Sequence, residues 1–417
     1  MYYNIKKLKE KYISSVIKLN QRTYNSFYFT LPSPLQYKAQ WFWDSCFHSI
    51  IYTELNDFEF AKNEIRSLIE GQRLYGTGVI PHMIMWEDSE IYKHLWGNRN
   101  TSFLTQPPMI AYAVEEIFKK TNDIDFIEEV FNSLDNHYFT INQERANDSI
   151  LSIIHPWESG LDDIASFDCV YGYNDPTQNE LNKKKEEIIK EYINTNLNIK
   201  KFLEKNIFNV KCLSFNSIYL RNLHSMHNLA KTIKSEKKIY YYNLIKQVEN
   251  SYNNNFFNHN TGLYSSYYYD TNGKKIFVED FENIQIFFPL FARAIKEKKI
   301  VLNLLNSYLL NTNKFWTKYP VPTLSLSSNK YDPSAYWRGS TWINTNWIIY
   351  KGLIDYGFFD IAELLKTKTF SLIQKSGFNE FFNSKSGAQG RDDIRKCNKN
   401  FTWSGLIFNM NNTNINY

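Results

Sequence analysis

The chain has 417 residues, a formal net charge of +5 at pH 7, and hydrophobic and charged fractions of 43% and 22%. This is the balance of a globular protein with a large buried core, long enough for one large domain or two to three ordinary ones. No Lys/Arg block is long enough to follow a phosphate backbone; the basic runs NKKKEE and KEKK are followed or broken by acids and read as solvated helix faces, which argues against a nucleic-acid partner.

In chain order, MYYNIKKLKEKYISSVIKLN reads as a charged amphipathic helix without the apolar run of a signal peptide. In DFEFAKNEIRSLIEGQRLYG, Phe58, Ala61, Ile65, Leu68 and Ile69 share one helical face, and Asp57 stands at the N-cap. Further amphipathic helices are predicted at about 109–120, 125–138, 182–206, 215–234 and 237–256, then near 281–296, 298–311, 340–355, 358–375 and 403–410. Short polar turns between them suit antiparallel helix pairs. GLYSSYYYDTNGKKIFVED interrupts the series as a β-hairpin, with Asn-Gly between β-prone arms.

No linker or composition shift divides the chain. The reading is therefore all-α, a single toroid of paired helices over 1–417, with a small β-hairpin and a polar, cap-like insertion at about 166–205. Cys46, Cys169, Cys212 and Cys397 lack any CxxC or Cys/His spacing, so neither a metal site nor a disulfide framework is expected, nor any cofactor. No segment reaches transmembrane length; the expectation is a cytoplasmic protein without a membrane partner, for which a homo-oligomer is allowed.

Aromatic residues make up 17% of the chain, including 10 Trp. Seven of the ten Trp fall in QWFWDSCFHS, HPWESGLDD, YWRGSTWINTNW or FTWSG. These stretches, with TQPP and FNEFFNSKSG, lie between predicted helices, where function concentrates. Any single Trp could anchor its loop to the core. As a set beside Asp, Glu, Gln, Arg and Asn, they favour a carbohydrate cleft.

Glycoside hydrolysis needs two carboxyl groups, one to protonate the leaving oxygen and one to act from the other face. The acid must have its pKa raised by burial or like charge. In ESGLDD, Gly160 permits a tight turn, Trp157 supplies apolar cover, and Glu158 and Asp163 bring like charge to Asp162. Alone, the stretch fits an acidic turn, or N-caps from Ser159 and Asp162, at least as well. Glu380 is a second candidate, set among Phe378, Phe381 and Phe382 where an unpartnered charge would be costly. Asp44, following Trp41 and Trp43, could take sugar hydroxyls or cap its helix. GTGVIP lacks the strand-to-helix setting of a dinucleotide site, and GxSxG, Walker A and HExxH motifs are absent.

In order, QWFWDSCFHS, GQRLYGTGVIPHMI, TQPP, HPWESGLDD, FNSIYLRNLHSM, GLYSSYYYD, YWRGSTWINTNWIIYKGL and FNEFFNSKSG…FTWSG resemble the (α/α)6-barrel glycosidases of glycoside hydrolase family 63, from about residue 36 to 410. The likeness is to the compact mannosylglycerate and glucosylglycerate hydrolases. It implies a single (α/α)6 barrel, inversion at the anomeric carbon, Asp162 as general acid and Glu380 as general base, about 6.5–9.5 Å apart. It further implies that Trp41, Trp43 and Asp44 line the sugar subsite beside Gln106, Trp157 and Glu158, with Tyr336, Trp337, Arg338 and Gly339 as another wall and Trp342 behind. The partner implied is a small α-mannoside or α-glucoside; the alternatives are an α-glucosidase for neutral saccharides and a non-catalytic sugar-binding relative.

Two departures bear on this expectation. Asp163-Ile164-Ala165 stands where the family has Asn and then Ser-Pro, so the extra carboxylate either tunes Asp162 or exchanges roles with it. Residues 166–205 do not follow the family's R-x-D-containing region, which helps hold the glycerate leaving group.

Overall fold

The protein is described from a computed structural model over residues 5–87, 90–97, 99–391 and 397–411. Two kinds of helix follow from two kinds of sequence. Helix α2 (Phe42–Glu54) is buried at every residue from Phe42 to Thr53, because it is apolar or small and polar on all sides. Helices α7 (Leu213–Thr232) and α11 (Ile343–Asp355) bury most of their residues in the same way, and α4 (Ile110–Thr121) buries its first five residues and Ile117. Together with α9 (Phe288–Phe291), extended by a 3-10 turn at Ile284–Phe287, and the 3-10 stretch Thr402–Asn411, they form an inner ring.

The ring closes: α2 packs on α4, α4 on α7, α7 on α9, α9 on α11, α11 on 402–411, and 402–411 back on α2. This is the six-fold helical toroid expected of an (α/α)6 barrel. Around it, α3 (Phe58–Tyr75), α5 (Ile124–Arg145), α8 (Lys237–Phe256), the short α10 (Lys298–Asn303) and α12 (Phe359–Ser376) bury only one face. In α3, Ala61, Ile65 and Leu68 are buried, with Phe58 and Ile69 at the margin. Each such Ile or Leu contributes roughly 1.5–3 kcal/mol on full burial. At the N-terminus, α1 (Ile5–Tyr12) reaches the last inner element: Tyr12 Oη donates to Thr402 O at 2.5 Å, and its ring fills the space beside Gly405.

Three expectations change in detail. Asp57 stands at the N-cap of α3, but its side chain makes no capping bond. The helix placed at 125–138 runs on to Arg145, held by buried Ile141 and Arg145. The helix placed at 182–206 is two, α6 (Gln178–Asn194) and Ile199–Lys205, because Asn196 and Leu197 turn left-handed, with φ of 56° and 58°. The Asn-Gly hairpin forms, pairing Tyr267–Tyr269 with Lys275–Phe277, and Val210–Lys211 adds a third strand. Among the described residues, no helix is long and apolar enough to cross a membrane.

Candidate active site

The HPWESGLDD loop is shaped by its own side chains. His155 is extended, Pro156 starts a 3-10 turn, and His155 Nδ1 accepts from Trp157 N at 3.2 Å. Ser159 Oγ donates to Pro156 O at 2.6 Å and accepts from Leu161 N at 2.9 Å. Gly160 is required twice over. Its φ of +70° is left-handed, and a Cβ there would stand 2.6 Å from the indole of buried Trp43.

The loop's three acids take three different partners. Glu158 is fully buried; Arg145 holds both its oxygens at 2.7 and 2.8 Å, and the amides of Ile154 and Thr105 add bonds of 2.8 and 3.1 Å. Its expected place against substrate is therefore corrected. It ties the end of α5, the TQPP segment and the acidic loop together. Asp162 is partly exposed, and Tyr336 Oη donates to its Oδ2 at a long 3.4 Å. Asp163 is buried, accepting from Lys185 Nζ at 2.5 Å and Gln178 Nε2 at 3.0 Å, both on α6.

Glu380 is 2% exposed. Tyr37 Oη donates to its Oε1 at 2.7 Å, and Asn398 donates to Oε2 from its side-chain and backbone nitrogens at 2.6 and 3.2 Å. Trp403 Nε1 fixes the Glu380 carbonyl at 3.1 Å. Asp44 falls in the first turn of α2, which Trp41 enters in extended conformation. Burial pushes the Asp44 carboxyl well above its ordinary value, and the negative charges of Glu380 and then Asp162 add to the rise. All three carboxyls therefore share one electrostatic neighbourhood at the N-terminal end of α2. Gln106 Oε1 accepts from Trp43 N at 3.2 Å, joining that turn to the TQPP segment.

The aromatics separate into two roles. Trp41 and Trp157 are half-buried and flank His82, at ring distances of 5.0 and 5.9 Å. Trp43, Trp337 and Trp342 are buried. Trp337 and Trp342 stack at 3.6 Å, and Trp342 stacks on Phe381 at 4.9 Å. This pile backs Tyr336, whose ring meets Trp342 at 5.1 Å and Phe381 at 5.4 Å. Of the expected 336–342 wall, Tyr336 reaches Asp162, whereas Trp337 and Trp342 are support. Arg338 is engaged by Asp168 at 2.9 and 2.6 Å, and Lys330 joins the same carboxylate at 3.2 Å. Gly339 serves a close backbone approach: a Cβ there would collide with the Asp332 carbonyl oxygen.

Sequence reading missed Tyr37, Asn398, Arg145 and Lys185. Lys185 had a legible signal. With Leu181, Ile188, Ile189 and Tyr192 it forms the buried stripe of α6, so the third lysine of NKKKEE lies at a core position rather than on a solvated face. Tyr37 and Asn398 lie on loops without periodicity, and only their contacts with Glu380 single them out.

A helical toroid whose inner-helix end gathers three carboxyls beside half-buried indole faces has the groups that cleavage of a carbohydrate requires. Residues 37–404 match the family described as mannosylglycerate hydrolase MGH1-like glycoside hydrolase domain, and the chain belongs to that family as a glycoside hydrolase. It is 27% identical to a mannosylglycerate hydrolase of Thermus thermophilus over 91% of this chain and 95% of the relative. It is 23% identical to the mannosylglycerate hydrolase of Rubrobacter radiotolerans, over 91% and 92% of the two chains. A crystal structure of the family 63 mannosylglycerate hydrolase from Thermus thermophilus with Tris and D-glycerate superposes with a TM-score of 0.84, at 25% identity and covering 96% of this chain and 99% of that one.

Proposed function

We propose that this glycoside hydrolase cleaves a small α-mannoside or α-glucoside with inversion of configuration, with mannosylglycerate or glucosylglycerate the favoured substrate. Asp162 protonates the glycosidic oxygen as the bond to the anomeric carbon breaks. Glu380 takes a proton from a water that attacks the opposite face, and Asp44 receives sugar hydroxyls. One water is consumed; afterwards Glu380 loses its proton to solvent and Asp162 regains one. Residues 1–417 act as one catalytic unit, with 166–205 covering one end.

The observation that carries the reading is the contrast between the two carboxyls. Glu380 is buried and aimed by Tyr37 and Asn398. Asp162 is partly exposed beside the Tyr336 hydroxyl, where a leaving oxygen could approach it. Both act electrostatically on Asp44. The mannosylglycerate hydrolases of similar length support the substrate.

The test is proton NMR of mannosylglycerate digestion. The β-anomer of mannose should appear first, and Asp162→Asn and Glu380→Gln should each lower turnover by about 10²–10⁴-fold. Initial α-mannose would refute inversion, and near-full turnover in either variant would remove that residue from its role.

A further inference from the structure

Resting on that reading, we infer that Lys185 is a positioning residue for the general acid: from helix α6 it neutralises Asp163 and pins the acidic loop, so that Asp162 is the acid presented to the leaving group. The Lys185 ammonium stands 2.5 Å from Asp163 Oδ1, with both side chains buried, and Gln178 takes Oδ2 at 3.0 Å. The backbone of Lys185 is held too, its carbonyl lying 3.2 Å from His155 Nε2 at the start of the loop. α6 thus grips HPWESGLDD at its first residue and its last.

Pairing answers a problem the sequence poses. Two adjacent carboxylates at the leaving-group side would compete for one proton, and a buried Asp163 without a cation would be costly. Donors from α6 occupy both Asp163 oxygens, whereas Asp162 meets Tyr336 of the opposite wall. Among the described residues, the neighbours in electrostatic reach of Asp163 include His155 of its own loop, Lys185 of α6, Tyr171 of the turn after the loop and Arg338 of the facing wall. Tyr171 and Asp44 also face Asp162. Lys185 is a cation in direct contact with Asp163, so removing it takes a positive charge away from a buried carboxylate one residue from the acid.

Four proteins separate the outcomes: wild type, Lys185→Met, the double variant Asp163→Asn/Lys185→Met, and Asp162→Asn. Each is assayed across pH on mannosylglycerate, which needs protonation of its leaving oxygen, and on α-mannosyl fluoride, which departs with little. Lys185→Met should lose about 10–100-fold in kcat/KM on mannosylglycerate, shift the basic limb of its pH profile, and lose under about 3-fold on the fluoride. The double variant, with no buried charge left, should return to within about 3-fold of wild type on both. If Lys185→Met does not fold, the double variant decides, and a folded double variant with the large loss only on mannosylglycerate overturns the inference. Equal losses on the two substrates, or no loss from Lys185→Met, also overturn it. The Asp162→Asn protein tests the underlying reading separately: it should fail on mannosylglycerate and keep the fluoride reaction, and full activity on both would discard the acid assignment itself.

Discussion

Gly160→Ala tests whether the acidic loop is held by local geometry, and a second glycine supplies the control. Gly160 has φ of +70°, where a Cβ costs about 1–2 kcal/mol. The added methyl would also meet three ring atoms of Trp43 at 2.6, 2.8 and 2.8 Å, well inside the roughly 3.5 Å of an ordinary carbon contact. Trp43 cannot yield freely. Its ring is packed against Phe47 at 5.2 Å and Trp403 at 6.0 Å, and its amide is tied to Gln106. Overpacking of this kind costs about 1–3 kcal/mol, which brings the total to about 2–5 kcal/mol. Gly76, with φ of +77° and nothing within 4 Å of an added Cβ, isolates the backbone share. Urea unfolding should therefore show Gly76→Ala destabilised by about 1 kcal/mol and Gly160→Ala by at least twice that. Displacing Asp162 by a fraction of an ångström should also lower kcat by about 10-fold or more in Gly160→Ala alone. Equal destabilisation of the two variants, with unchanged turnover, would refute the Trp43 contact as a constraint on the loop.

Two further substitutions address buried charge. Arg145→Met should destabilise by about 3–5 kcal/mol, because it strands Glu158, which is fully buried, whereas Arg145→Met/Glu158→Gln, which removes the charge and keeps an acceptor beside the Thr105 and Ile154 amides, should recover much of the loss in the same urea assay. A double variant no more stable than the single would show that the cost is packing, not charge. Behind the site, burial pushes Glu64 up to about 8 and His48 down to about 3, with His48 Nδ1 and Glu64 Oε1 3.9 Å apart. A raised folded pKa means the native state keeps a proton that the unfolded chain releases above about 4.5, so this contribution is full below pH 4.5 and is lost as pH rises through 8. Glu64→Gln should abolish up to about 5 kcal/mol of that slope, making the variant relatively more stable at pH 8–9 than at pH 5. Parallel stability curves for the two proteins between pH 5 and 9 would show that Glu64 is charged in the folded state.

How much was legible in the sequence depended on whether a residue's role was local or relational. The toroid was legible because helix pairing writes itself into periodicity, and a closed ring of apolar inner helices needs no further instruction. The cleft stretches were legible because their Trp and acidic residues are out of place on an ordinary surface. The division of the tryptophans was not, since a cleft face and a supporting stack share one composition. Trp337 looks in sequence like a sugar platform, yet it is buried against Trp342 at 3.6 Å. Arg338 likewise has the chemistry of a substrate clamp, but Asp168, just after the HPWESGLDD loop, uses it.

The three acids of HPWESGLDD show why type and spacing stop short of function. In sequence they are equivalent carboxylates within six residues. In the fold, a bidentate arginine makes Glu158 a brace and a buried lysine makes Asp163 a hinge-pin, while Asp162, partly exposed, meets the Tyr336 hydroxyl. Each partner arrives from a different element: α5, α6 and the loop before α11. The charge state of a carboxylate follows its surroundings, so the chemistry of this loop is set by three elements that meet only after the ring has closed. The polar segment 166–205 takes its place in that argument. Helix α6 within it supplies the lysine ammonium that holds Asp163, so that a second aspartate sits beside the proposed acid without competing with it.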